Sequence, residues 1–333
     1  MDVDFAALPK VQLHCHLEGT VREQTFRALA VRAGIEPRSY RFATFIDFLH
    51  LFRDVLRALR VPDDYARIAR EYVEDAAAQG VAYAELHVSP SAWTRLHPSL
   101  NVRATIEAIR GALDESGAPH GLRTALIVDL TRNFGPESAE ASAREAVALR
   151  DLGVVAIGLG GDERDWPPER FARAYAIARD GGLRGVVHAG EAAGAQSVRD
   201  AVEILRADRI GHGVRAVEDA AVVELLAERA IPLEVCPTSN RLTGAAPAAE
   251  PHPLGALDAA GCVVTIDADD PALFGTTLLD EYRYVAQAFG TEAMLRFAGN
   301  AIGASFAPDA LKQVLSERFA RSRNSVAAER TSS

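Results

Sequence analysis

Eight short apolar runs, separated by stretches of helical periodicity, leave this chain very few folds to choose from. The runs are residues 11–16, 82–88, 123–130, 154–161, 184–190, 209–213, 232–239 and 263–270. Each is strand-length, bounded by polar or glycine-containing turns, and rich in valine, isoleucine, leucine or alanine. Between them, Val198, Ala201, Val202 and Leu205 recur at helical spacing. Ser197 and Asp200 precede that helix in the manner of a capping box, and Thr277 with Asp280 reads as the cap of a helix running to Phe289. Strand alternating with helix eight times predicts an α/β protein, a (β/α)8 TIM barrel.

The residues that end the runs then point to chemistry. The first run closes on His14 and His16, which share a strand face because side chains alternate. The fifth run carries His188, with Glu191 just beyond it, the sixth carries His212, and the eighth ends in Asp269-Asp270. A lone histidine is usually structural. Metal-ligand residue types at four separate strand ends, on the face where such barrels build active sites, are not explained that way. His14, His16, His188 and Asp269 are therefore expected to hold a metal, with a water completing the shell. A sulfur-free N/O set suits one zinc per chain, and iron or cobalt would accept the same ligands. Zinc brings the pKa of its water from about 15.7 to about 7. His212 is placed to handle that water's proton, and Glu191 to donate a proton to a ring nitrogen of the substrate. Asp270 would bond a second nitrogen once the strand ends, and Gly160-Gly161 would let backbone approach a flat heterocycle.

Composition narrows the partners. The 333 residues carry a net charge of −10, which argues against nucleic acid or an anionic membrane. No apolar run is long enough to cross a bilayer. The start, Met1-Asp2-Val3-Asp4, lacks the basic and apolar regions of a secretory signal. Cys15, Cys236 and Cys262 form no CxxC pair, and free thiols suit a reducing cytoplasm. The expected partner is a small molecule. No linker or composition break appears, so residues 1–320 are read as one domain and 321–333 as a polar, frayed tail.

About sixty-five residues separate the first two runs, far more than a crossover helix needs. They hold Phe42, Phe45, Phe48, Leu49 and Phe52 in a helix-spaced cluster. This predicts extra helices packed on the barrel, one face of which covers the mouth of the site.

These residues resemble the adenosine deaminase family of metal-dependent amidohydrolases. The resemblance rests on Leu8-Pro9-Lys10-Val11-Gln12-Leu13-His14-Cys15-His16-Leu17-Glu18-Gly19 and on His188-Ala189-Gly190-Glu191. It also rests on Arg209-Ile210-Gly211-His212-Gly213, Cys236-Pro237-Thr238-Ser239-Asn240 and Asp269-Asp270-Pro271. It spans Leu8 to Ala307 and implies a zinc-dependent hydrolytic deaminase of 6-aminopurines. In that scheme Glu191 protonates purine N1, His212 orients the attacking water, Asp270 bonds N7, the backbone of Gly161 bonds N3, and Ser239 supports the site. Glu18 stands where adenosine deaminases place an aspartate that contacts ribose, whereas adenine deaminases more often carry glutamate. His87 replaces a frequent arginine, and Asp267 a frequent asparagine. Gly211 and the run 274–277 resemble the adenosine branch, and Gly158 to Gly161 resemble relatives that deaminate aminodeoxyfutalosine. The expected reaction is adenosine or deoxyadenosine to inosine and ammonia, with adenine and aminodeoxyfutalosine as alternative substrates.

Other classes fit less well. A binuclear hydrolase with a carboxylated lysine needs a lysine at the fourth strand, and the chain has only Lys10 and Lys312. The His-x-Glu and Pro-Cys-x-x-Cys signature of cytidine deaminases is absent. A non-catalytic binding protein on this scaffold would be expected to have lost a ligand or Glu191, and none is lost.

Overall fold

The computed structural model describes residues 4–331. Its strands follow one another around a single sheet: β1 (Lys10–His16), β2 (Val81–Val88), β3 (Arg123–Thr131), β4 (Val154–Gly160), β5 (Arg184–Ala189), β6 (Arg209–His212), β7 (Leu233–Val235) and β8 (Val264–Ile266). Every neighbouring pair is parallel. First and last strands meet through a bridge between Cys15 and Asp269. There the His16 N–H donates to Asp269 O at 2.9 Å, and the Asp269 N–H donates to His14 O at 3.1 Å. This is the expected (β/α)8 barrel.

Period-two alternation sorts the strands into two layers. Leu86, Val128, Leu159 and Val187 belong to the large core cluster that extends under the helices, whereas Ile127, Ala156 and Val186 form a separate small cluster with Phe306 packed on it. Beside Phe306 the barrel turns polar. The Arg209 guanidinium lies 3.8 Å from the Phe306 ring centre and bonds Glu85 and Glu234, each at 2.5 Å. Buried charges survive only when paired in this way.

Three helices fill the long first connection: α1 (Glu23–Ala33), α2 (Phe45–Ala58) and α3 (Pro62–Ala78). A reciprocal capping box starts α2, with the Thr44 hydroxyl accepting from the Asp47 N–H at 3.1 Å and the Asp47 carboxylate accepting from the Thr44 N–H at 3.2 Å. Phe48, whose ring centre is 4.8 Å from that of Phe274, anchors this helix on the barrel. Among the described residues no helix is long and apolar enough to cross a membrane.

Several local expectations are corrected. Ser197 lies inside the helix Ala195–Glu203, whose N-cap is Gly194, so no capping box forms there. Thr277 does cap the helix Leu278–Phe289, accepting from the Asp280 N–H. The strands from the last two runs are only three residues long, because Pro237 opens a helix and the chain leaves the ladder after Ile266. The helix Asp309–Thr331 continues through Arg321, where the sequence suggested fraying; residues 332–333 lie outside the described part.

Candidate active site

The strands deliver their polar ends to one point. His16 Nε2 lies 3.2 Å from His188 Nε2 and 3.4 Å from Asp269 Oδ1, and His14 Nε2 lies 3.6 Å from that same oxygen. His212 Nε2 is 4.0 Å from Asp269 Oδ2 and 3.7 Å from Glu191 Oε2. Residues from β1, β5, β6 and the segment just after β8 thus converge. His14, His188, His212 and Asp269 each offer a ligand atom within 4.8 Å of the others, while His16, Asp269 and Asp270 form an overlapping set.

The backbone at this point is forced out of ordinary strand geometry. His212 has φ 63° and Asp269 φ 62°, left-handed values that non-glycine residues rarely adopt and that cost about 1–3 kcal/mol each. The turn at Asp269 lets consecutive residues Asp269 and Asp270 both line the cavity, which a regular strand would forbid. Asp270 needs Gly19 beneath it: a Cβ there would come 1.9 Å from Asp270 Oδ1. Gly161, with φ 103°, lines the same cavity, and a Cβ on it would meet Asn133 Oδ1 at 2.4 Å.

Outer partners orient the imidazoles. His14 Nδ1 is 2.8 Å from Glu234, and His16 Nδ1 is 3.2 Å from Asp129, a carboxylate that also bonds His87 Nδ1 at 2.8 Å. A carboxylate on the remote ring nitrogen fixes the tautomer that turns an Nε2 lone pair inward. His212 differs, because its Nδ1 faces the Asn240 amide at 3.1 Å. Ser239 donates to Asp269 Oδ2 at 2.6 Å.

The donor set fits a cation. His14 Nε2 and His188 Nδ1 are buried and have no hydrogen-bond partner among the described residues. Two imidazole Nε2 atoms 3.2 Å apart, in contact with a carboxylate, also need a proton or a cation between their lone pairs. Neither lysine competes for this place. Lys10 bonds Phe5 O and Leu8 O at the start of β1, and Lys312 bonds Gly303 O on a late helix.

Titration follows from burial. Desolvation, with the Asp269 and Glu163 carboxylates adding to it, pushes Glu191 up to about 8. Desolvation also drives His212 down to about 3; Asp269 opposes this, and His14 and His16 reinforce it. Glu191 is thus suited to carry a proton at neutral pH, and His212 is held neutral there, with a ring nitrogen available to accept a hydrogen bond. Burial raises Glu234, but Arg209 and His14 outweigh it and bring the carboxyl down to about 2.

Glu18 is placed differently from the other candidates. Fully buried, it accepts from the Ser89 N–H at 2.9 Å and the Trp93 indole at 2.7 Å, and it is not among the residues lining the cavity. Both bonds use Oε1; Oε2 is buried with no partner among the described residues.

Sequence reasoning missed several supports. Glu163, 3 % exposed, accepts from the N–H groups of Gly190, Glu191, Ala192 and Ala193 at 2.6, 3.1, 2.7 and 2.8 Å, clamping the turn that carries Glu191. Arg132 is buried and donates to the carbonyls of Trp166, Leu159 and His188. Asp267 accepts from the Leu13 and His14 N–H groups at 2.6 and 3.0 Å, where the β1–β2 register shifts. Glu85, Asp129, Glu234 and Asn240 belong here too. Inward strand parity was the only available signal for Asp129 and Glu234.

A model of the family described as adenosine deaminase matches residues 9–322. The chain belongs to the adenosine deaminase family. An adenine deaminase of Rhizobium leguminosarum bv. trifolii is 38% identical over 323 residues, covering 94% of this chain and 99% of the relative. Among solved structures, an adenine deaminase from Arthrobacter aurescens is 34% identical with a TM-score of 0.88, covering 94% of this chain and 98% of the other. An amidohydrolase from Burkholderia ambifaria, solved with bound zinc, is 31% identical with a TM-score of 0.87, covering 97% and 94%. Membership makes this chain a metal-dependent hydrolytic deaminase acting on a C–N bond, and the buried histidine–aspartate cluster fits that dependence.

Proposed function

We propose that this protein deaminates a 6-aminopurine hydrolytically, with zinc held by His14, His16, His188 and Asp269. The observation that carries the reading is geometric: Glu191 and His212 lie 3.7 Å apart beside the buried histidine–aspartate cluster, an acid and an imidazole facing the same cavity. Zinc, when bound, activates a water as a Lewis acid and brings its pKa to about 7. His212 holds that water's proton. Glu191 gives its own proton to purine N1 as C6 accepts the water oxygen; the proton held by His212 passes to the C6 amine, which leaves as ammonia, and the C6 hydroxyl proton returns to Glu191 as the carbonyl forms. Asp270, whose buried Oδ1 has no partner among the described residues, bonds purine N7, and the backbone at Gly161 bonds N3.

The carboxylate partners of His14 and His16 support the ligand roles, and the amide partner of His212 supports its role as base. The relatives named adenine deaminase favour adenine over adenosine, which the sequence reading had put first. Three free, buried cysteines support a reducing cytoplasm as the compartment.

The test is turnover of adenine and adenosine by metal-replete protein, followed by the ultraviolet change and by ammonia release. Adenine should be converted to hypoxanthine. No conversion of any 6-aminopurine, with zinc bound near one per chain, would overturn the assignment.

A further inference from the structure

Three strands commit a position each to one bond beside the cavity. His87, on β2, is fully buried and does not line the cavity, so it cannot touch a ligand there. It is the register partner of His16 across β1 and β2, and its ring centre lies 4.9 Å from that of His16 and 4.8 Å from that of His14. His87 Nδ1 is 2.8 Å from Asp129 Oδ1, while the other oxygen of that carboxylate, Oδ2, is 3.2 Å from His16 Nδ1. An ionised carboxylate only accepts, so both Nδ1 atoms carry hydrogen and His16 Nε2 keeps its lone pair.

On β4 the register partner of Asp129 is Gly158. A Cβ at that position would lie 1.9 Å from Asp129 Oδ1 and 3.1 Å from His87 Nδ1. The barrel therefore leaves out a side chain where the His87–Asp129 bond runs. Packing alone does not account for an imidazole at position 87. Its Nε2 is buried with no hydrogen-bond partner among the described residues, a cost that an apolar side chain of similar size would avoid.

The inference rests on the reading of His16 as a metal ligand. We infer that His87 is a positioning residue for the metal centre: by holding one oxygen of Asp129 it fixes the other on His16 Nδ1, and so aims His16 Nε2 toward His188 and Asp269. Asp129 lines the cavity, so without the bond to His87 its carboxylate is free to rotate toward the open space and release His16. Gly158 serves the same bond by making room for it. Loss of a group that orients a ligating imidazole lowers metal affinity about 10–100-fold. His87 acts through one intervening carboxylate, which puts its effect near the lower end.

Zinc affinity is read by competition with a chelator, and folding by the thermal midpoint of the metal-free protein. His87→Leu should raise the zinc dissociation constant about tenfold with the metal-free midpoint little changed. His87→Asn, whose Nδ2 takes the place of the imidazole Nδ1, should bring it back within about threefold of wild type, whereas His87→Gln, whose amide reaches the Nε2 position instead, should not. Gly158→Ala, with His87 intact, should weaken zinc as His87→Leu does. In an Asp129→Ala background His87→Leu should add less than about twofold, because the two residues act along one path. Wild-type zinc affinity in His87→Leu would overturn the inference and leave the zinc reading standing. Equal affinities of the Asn and Gln variants would do the same, and that comparison decides the matter if His87→Leu does not fold. If wild-type protein itself binds no zinc, both fall.

Discussion

Replacing Glu163 by glutamine should separate the support of Glu191 from its chemistry. One Glu163 oxygen accepts from Gly190 N–H and the other from Glu191, Ala192 and Ala193. The best glutamine rotamer turns its carbonyl to the three donors and its NH2 toward Gly190, leaving that N–H without an acceptor. Loss of one charge-assisted bond costs about 1.5–3 kcal/mol, and the other three weaken toward neutral strength. Because Glu163 is buried, water does not restore the lost partner. The net effect should be about 2–4 kcal/mol. Part of it should appear as local loosening of residues 190–193 rather than as lower global stability. In urea titrations Glu163→Gln should unfold earlier. In kinetics, kcat should fall by about tenfold or more with KM little changed and zinc content intact. Removing that negative charge should also lower the Glu191 pKa, moving the alkaline limb of kcat/KM to lower pH, because Glu163 is one of the groups holding Glu191 up. Wild-type stability together with wild-type kcat would refute the clamp.

Four further outcomes follow from the same geometry. Glu191 must be protonated to act and its pKa is raised to about 8, so kcat/KM should hold below that pH and fall as pH rises through it. Glu191→Gln should keep metal and lose about 10²-fold or more in turnover, and an intact rate would remove Glu191 from the mechanism. Ser239→Ala removes the 2.6 Å bond to Asp269 and should weaken zinc retention or activity about 10–100-fold, measured by competition with a chelator. Arg209→Met leaves Glu85 and Glu234 buried without their cation and should cost about 3–5 kcal/mol by chemical denaturation; a change below about 1 kcal/mol would show that this network contributes little.

The repeat of eight apolar runs pointed to a parallel α/β sheet, because strand and helix periodicities are local properties; eight units with polar groups at their strand ends favoured the closed barrel over an open sheet. The meeting of the polar strand ends was legible for a related reason: in this fold the ends of parallel strands share one face, so His14, His16, His188, His212 and Asp269 belong to one cluster. Local capping was read less well. Thr277 caps its helix as expected, while Ser197 lies inside one, since the choice of cap depended on how the preceding turn packs.

What only the tertiary structure decided lies in contacts between residues far apart in sequence. Glu234 is 220 residues from the His14 it orients, and Asp267 is 254 residues from the Leu13 N–H it accepts. The left-handed turns at His212 and Asp269 leave no mark in composition, because neither residue is a glycine. Glu18 is a further case: its Oε1 accepts from Ser89 and Trp93, far along the chain, while its Oε2 is buried with no partner among the described residues. Periodicity sets which face a side chain takes; which partner it finds on that face depends on where the other strands bring theirs.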